Sequence, residues 1–144
     1  MTRELTKPAP GLREIMRLQQ SMSELPQFEL PVQHHFTAGA YGRQLFVPAG
    51  VMLVGKLHRT EHFLLVVGDV EIINGAQRER VTGIRVMNTK PGTKRAIYAH
   101  ADSTLFTFHV TDLKDVEAIE EEIIEPDPVE LLGGAETPAL ENAA

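Results

Sequence analysis

The dipeptide Asn74-Gly75 constrains the fold more than any other feature of the chain. Both residues tolerate positive φ, so the pair is the strongest short-range signal for a tight hairpin. Its flanks agree. Residues 62–67 and 69–73 read as strands separated by Gly68, and residues 78–82 and 84–87 read as the return, broken by Gly83. Further short apolar runs at 45–47, 51–57, 95–99 and 104–110 alternate with the turn residues Pro48-Ala49-Gly50, Pro91-Gly92 and Asp102-Ser103. A series of short strands with frequent turns predicts an all-β sandwich or barrel over residues 36–110.

The flanks have a different period. Leu12, Ile15, Met16, Gln19 and Met22 recur at helical spacing, with Pro10 suited to a first turn, so residues 10–25 read as a helix. Its apolar stripe suits either packing on the domain or docking on a neighbouring subunit. Pro26 and Pro31 bracket an extended connector that ends near His34 and His35, two histidines expected at the surface. After the β region, Asp112 is placed to cap a helix through Ile124, with Leu113, Val116, Ile119 and Ile123 on one stripe and Glu120, Glu121 and Glu122 on the solvated face. Pro126 and Pro128 end it. The chain thus divides into an N-terminal helix and connector (1–35), a β-barrel (36–110), a C-terminal helix (111–125) and an acidic tail (126–144).

Composition narrows the chemistry. With no cysteine among 144 residues, disulfides, zinc–thiolate sites, iron–sulfur clusters and thiol nucleophiles are excluded. Any metal must be held by the six histidines and the carboxylates. The net charge of −6 is unevenly placed: residues 1–111 hold 13 Lys/Arg against 9 Asp/Glu, and residues 112–144 hold 1 against 11. A cationic face for nucleic acid is therefore not expected, although the weakly basic body leaves room for a local anion site. No apolar run approaches the roughly 18 residues of a membrane span, and the N-terminus has no apolar stretch of the kind that marks a secretory signal.

The segment from Gly50 to Gly68 carries the most chemistry. His58, Glu61 and His62 offer three potential metal ligands within five residues. A further ligand must come from elsewhere in the fold, and His109, which shares a strand face with Leu105 and Thr107, is the best placed. His100, near the turn at Asp102, reads as exposed or as a local hydrogen-bond partner. Arg95 and Tyr98 read as barrel-wall residues able to face an anionic ligand, and Lys56 and Thr107 are further candidates for orienting a substrate. No catalytic-triad order, phosphate-binding loop or dinucleotide fingerprint is present.

This segment resembles the first motif of the cupin superfamily. Glu61 keeps the seven-residue spacing to a closing Gly68, and Gly50 serves as the opening glycine. The usual His-x-His is missing, because Lys56 stands two before His58, and the second motif survives only as PGTKRAIY without its histidine. The order HRTEH, PGTKRA, a β-run ending in His109 and an acidic helix is similar to small cupin-like proteins encoded by tailed bacteriophages, over about residues 45–124. The resemblance implies an all-β core, a cupin-like jelly-roll barrel with flanking N- and C-terminal helices, and His58, His62 and His109 as ligands of a divalent transition metal ion (Zn, Fe, Mn or Ni). Adjacent strand residues face opposite sides, so Glu61 and His62 cannot both point inward without a bulge or turn. Cupin spacing favours Glu61 and the phage-like pattern favours His62. His62 is taken as the ligand, with Glu61 as a fourth ligand or an orienting partner.

The expected function is that of a metal-binding cupin-like protein, a phage virion or accessory component without established catalysis, found in the virion or host cytoplasm. The alternative is a metal-dependent cupin enzyme, of oxygenase or isomerase type, acting on a small polar molecule. A homo-oligomer is expected, with other virion proteins as further partners and neither nucleic acid nor membrane among them. Either terminal helix stripe, Leu12, Ile15 and Met16 or Val116, Ile119 and Ile123, is expected to supply the apolar contact.

Overall fold

The structure is a computed structural model and describes residues 11–27, 29–75 and 77–126. The acidic tail beyond Pro126 and the first-turn Pro10 lie outside the described residues. The elements are α1 (Leu12–Met22), β1 (Val32–Thr37), β2 (Ala40–Val47), β3 (Met52–Val54), β4 (Leu57–His58), β5 (His62–Asn74), β6 (Gln77–Thr89), β7 (Ala96–Ala99), β8 (Ser103–Val110), α2 (Val116–Ile123) and β9 (Ile124–Glu125). Seven strands form one curled antiparallel sheet, a half-barrel, and β4 pairs with β9 as a separate ribbon.

The long hairpin β5–β6 organises the sheet. Along one edge β5 pairs throughout with β6. Its other edge is divided: residues 63–67 pair with β8, and residues 70–73 pair with β7. The division falls at Gly68, which has φ 141 and faces Gly83, at φ 84, across the hairpin. These paired glycines let the ribbon bend without breaking its ladder, so each of the two expected strand pairs is a single 13-residue strand. A Cβ at Gly68 would lie 2.2 Å from Ser103 Oγ, which accepts a hydrogen bond from the Asp69 amide at 3.1 Å. The hairpin closes with Asn74 paired to Gln77, so Asn74 is the last strand residue and Gly75, at φ 63, begins the turn.

Two further expectations are corrected. Residues 32–37 are not a connector but β1, paired along its whole length with β2, which places His34 and His35 in the sheet. The C-terminal helix starts at Val116 rather than after Asp112. Its cap is Asp115, whose carboxylate accepts the Ala118 amide at 3.1 Å, while Leu113 stays outside the helix and exposed. The terminal stripes are also used within the chain. Leu12, Ile15 and Met16 are buried against Leu57, Val54, Ile73 and Ala96, and Ile119 and Ile123 are buried against Tyr41. Burying such aliphatic side chains stabilises by about 1.5–3 kcal/mol each, which is what fastens both helices to the sheet.

The inner face of the sheet carries the main core, including Leu45, Leu64, Val66, Val70, Ile97 and Leu105. No helix among the described residues is long and apolar enough to cross a membrane.

Candidate metal centre

Three strands bring three histidines to one point. His58 ends β4, His62 opens β5 and His109 lies near the end of β8. All are buried, at 6%, 6% and 2% exposure. Their ring centroids are 4.3 Å apart for His58–His62, 4.5 Å for His62–His109 and 5.5 Å for His58–His109. One nitrogen from each ring lies within 4.8 Å of one from each of the others. Nearly all of this comes from pairing. β8 lies between β2 and β5, and β9 holds β4 against the C-terminal segment.

Two of the rings are oriented by a residue two places before them. His62 Nδ1 donates to the Thr60 carbonyl at 3.1 Å, and His109 Nε2 lies 3.0 Å from Thr107 Oγ1. A carbonyl can only accept, so His62 spends an N–H on it and keeps a lone pair on the other nitrogen. In His109 the other nitrogen, Nδ1, is buried without a hydrogen-bond partner. A buried unpaired polar atom is costly unless something meets it.

The electrostatics favour neutral imidazoles. Burial pushes His58 well below the ordinary histidine value, reinforced by repulsion from His62 and then His109. Burial also lowers His62, and takes His109 down to about 3 with further repulsion from His62 and Arg43. Metal ligation requires this unprotonated state. The donor set is three imidazoles and no thiolate, which suits Zn, Fe, Mn or Ni.

Glu61 lies outside this cluster. Its carboxylate is at the surface and bonds Lys90 Nζ at 2.7 Å, a pair that holds it below the usual carboxylate range. The remaining histidines stand apart as well. His34 Nδ1 lies 2.6 Å from the Tyr41 hydroxyl, His35 bonds Gln44, and His100 lies 3.4 Å from Glu71. Tyr98 meets His100 edge-on.

Sequence reasoning missed Tyr41, Thr89 and Thr93. Tyr41 sits opposite His109 in the β2–β8 register and stacks on it at 5.9 Å, under the cover of Ile119 and Ile123. Thr89 lies opposite His62 in the hairpin and accepts from Arg95 Nη1 at 2.9 Å. Thr89 and Thr93 line a pocket with His58, His62, Arg95 and Thr107. One legible signal was the threonine two places before His62 and before His109.

No protein-family model matches the chain, and no curated protein matches it. Solved structures do. A cupin superfamily protein from Desulfitobacterium hafniense superposes with a TM-score of 0.50 at 12% identity, covering 78% of this chain and 95% of that one. A protein from Photorhabdus luminescens gives 0.50 at 12% identity, over 66% and 82%. A cupin 2 conserved barrel domain protein from Salinispora arenicola gives 0.48 at 14%, over 84% and 96%. The first of these identifies the fold as that of the cupin superfamily. None of these likenesses links the chain to tailed bacteriophages.

Proposed function

We propose that this cupin-fold chain binds one divalent transition metal ion through His58, His62 and His109. The observation that carries the reading is the cluster itself: three buried imidazoles each offer a nitrogen within 4.8 Å of the others, and His109 keeps Nδ1 buried without a hydrogen-bond partner. Three protein ligands leave further positions on such an ion, which when bound supplies Lewis-acid polarisation of an oxygen donor. The chain's own part is to hold three neutral imidazoles together, with the His62 and His109 rings oriented by hydrogen bonds. Elemental analysis of the purified full chain tests this. About one metal per chain is expected, and a chain that holds none after incubation with zinc, iron, manganese and nickel overturns it.

The pocket lined by His58, His62, Thr93 and Arg95 favours a second reading, a metal-dependent enzyme acting on a small polar molecule. Turnover that tracks metal content would support it. A place among phage virion or accessory components rests on the order of HRTEH and PGTKRA in the sequence. Copies of the chain associate through the outer sheet face. Phe63, Ile84, Val86, Phe108 and Val110 stand there at 40–84% exposure, a run of neighbouring apolar side chains of the kind that marks an interaction surface.

A further inference from the structure

We propose that the pocket beside the three histidines binds a small carboxylate, gripped by Arg95 and Lys56. The metal reading supplies the opposite end of the ligand, while the cationic end stands on its own observations.

Both residues line the pocket, and no Asp or Glu does. Among the described residues the other basic side chains near carboxylates are matched: Arg43 with Glu120, Arg59 with Glu125, Arg78 with Glu71, Arg80 with Asp69, Arg85 with Glu79 and Lys90 with Glu61. Neither Lys56 nor Arg95 makes an ion pair among them. Arg95 is partly withdrawn from water, and a half-buried guanidinium that makes no ion pair is better satisfied where an anion meets it. Its hydrogen bond to Thr89 uses one N–H of the fork and fixes the plane, which leaves the remaining donors for a ligand.

The position is set by the same ladder that builds the metal centre. Thr89 is the cross-strand partner of His62, so the guanidinium it anchors lies near that imidazole, close enough to repel its protonated form. A ligand with one end on Arg95 therefore has its other end at the histidines. The three imidazoles are neutral, so the positive charge comes from Arg95 and Lys56 and rises by two when a divalent ion is bound.

Shape selects the class. A planar guanidinium fork matches a planar two-oxygen carboxylate. No helix N-terminus lines the pocket, so the row of backbone amides that usually cradles phosphate is missing from it. Leu64 and Ile97 complete the lining with apolar surface for a short carbon chain. A 2-oxo or 2-hydroxy acid, with a second oxygen beside the carboxylate, offers a group to each end.

The test is calorimetric titration of the full chain with pyruvate and with glycolate, using inorganic phosphate and sodium chloride as comparisons. Zinc content is measured on the same samples. Pyruvate or glycolate should bind the zinc-loaded chain. Arg95→Gln should weaken that binding by at least about 10-fold at unchanged zinc content, and Arg95→Lys by less, because it keeps the charge and loses the fork. Lys56→Gln should weaken it by a smaller factor. Equal affinity in Arg95→Gln, no binding of either acid up to about 10 mM, or a preference for phosphate would each overturn the proposal. Should the wild type hold no zinc, the metal reading fails alone. Titration of that metal-free chain then decides this one, with weaker but Arg95-dependent binding expected.

Discussion

Thr107 and His109 share the inner face of β8, and the threonine Oγ1 lies 3.0 Å from His109 Nε2. That contact holds the ring so that its other nitrogen, Nδ1, is the one turned toward no protein partner. Both residues are almost completely buried, so water offers no substitute for the hydroxyl.

Removing the hydroxyl should therefore loosen the ring. Thr107→Val keeps the volume and loses the bond, and is expected to lower metal affinity by about 10- to 100-fold. Thr107→Ser should retain most of it. Competition with a chromophoric chelator measures both.

Ligand removal should separate the histidines from their acidic neighbour. His58→Ala, His62→Ala and His109→Ala each leave two protein ligands and should reduce metal content strongly. Glu61→Gln should leave it unchanged, since Glu61 bonds Lys90 at the surface. Elemental analysis of the four variants checks this, and loss of metal in Glu61→Gln would place that carboxylate in the site after all.

The histidines also set a pH dependence. Their folded values lie below the ordinary 6.5, so between 6.5 and the folded value the unfolded chain binds more protons than the folded one. Stability of the metal-free chain is then greatest above about pH 6.5 and falls as pH drops toward 3, at up to about 1.4 kcal/mol per pH unit for each histidine. Urea denaturation at a series of pH values should show this slope, and replacing His109 with a neutral residue should flatten it. Proton competition for the metal accordingly begins below the pH 6 to 7 window that exposed imidazoles would give.

Gly68→Ala should destabilise the fold by about 2–4 kcal/mol. The new methyl would meet Ser103 side-chain and backbone atoms at 2.2 to 2.9 Å, at a φ of 141. The midpoint of chemical denaturation reports it, and a shift no larger than that of an exposed strand substitution would count against this account.

Ile84→Lys should weaken self-association without unfolding the chain. Ile84 is 75% exposed and lies opposite Val67 on the outer face. Sedimentation velocity at tens of micromolar compares the variant with the parent. A parent that is monomeric there removes this face as an interface.

Much of the architecture was local enough to be read from the chain alone. The hairpin around Gly75, the buried stripe Leu12, Ile15, Met16 and Gln19, and the closing Pro126 depend on periodicity and on residues whose backbone preferences are intrinsic. The candidates His58, His62 and His109 are named from the spacing in HRTEH and from the resemblance that adds the histidine of the last strand, and the fold brings the three rings together. Tertiary structure decided the rest. Only the pairing of β5 with β8 on one edge and β6 on the other sets His109, His62 and Thr89 side by side, and such partners are remote in sequence. Whether His62 or Glu61 faces inward depends on where β5 starts, since a shift of one residue reverses every side chain. The destination of Arg95 depends on Thr89, six residues earlier and across a turn. Local pattern selects which residues are able to meet; the long-range ladder selects which of them do.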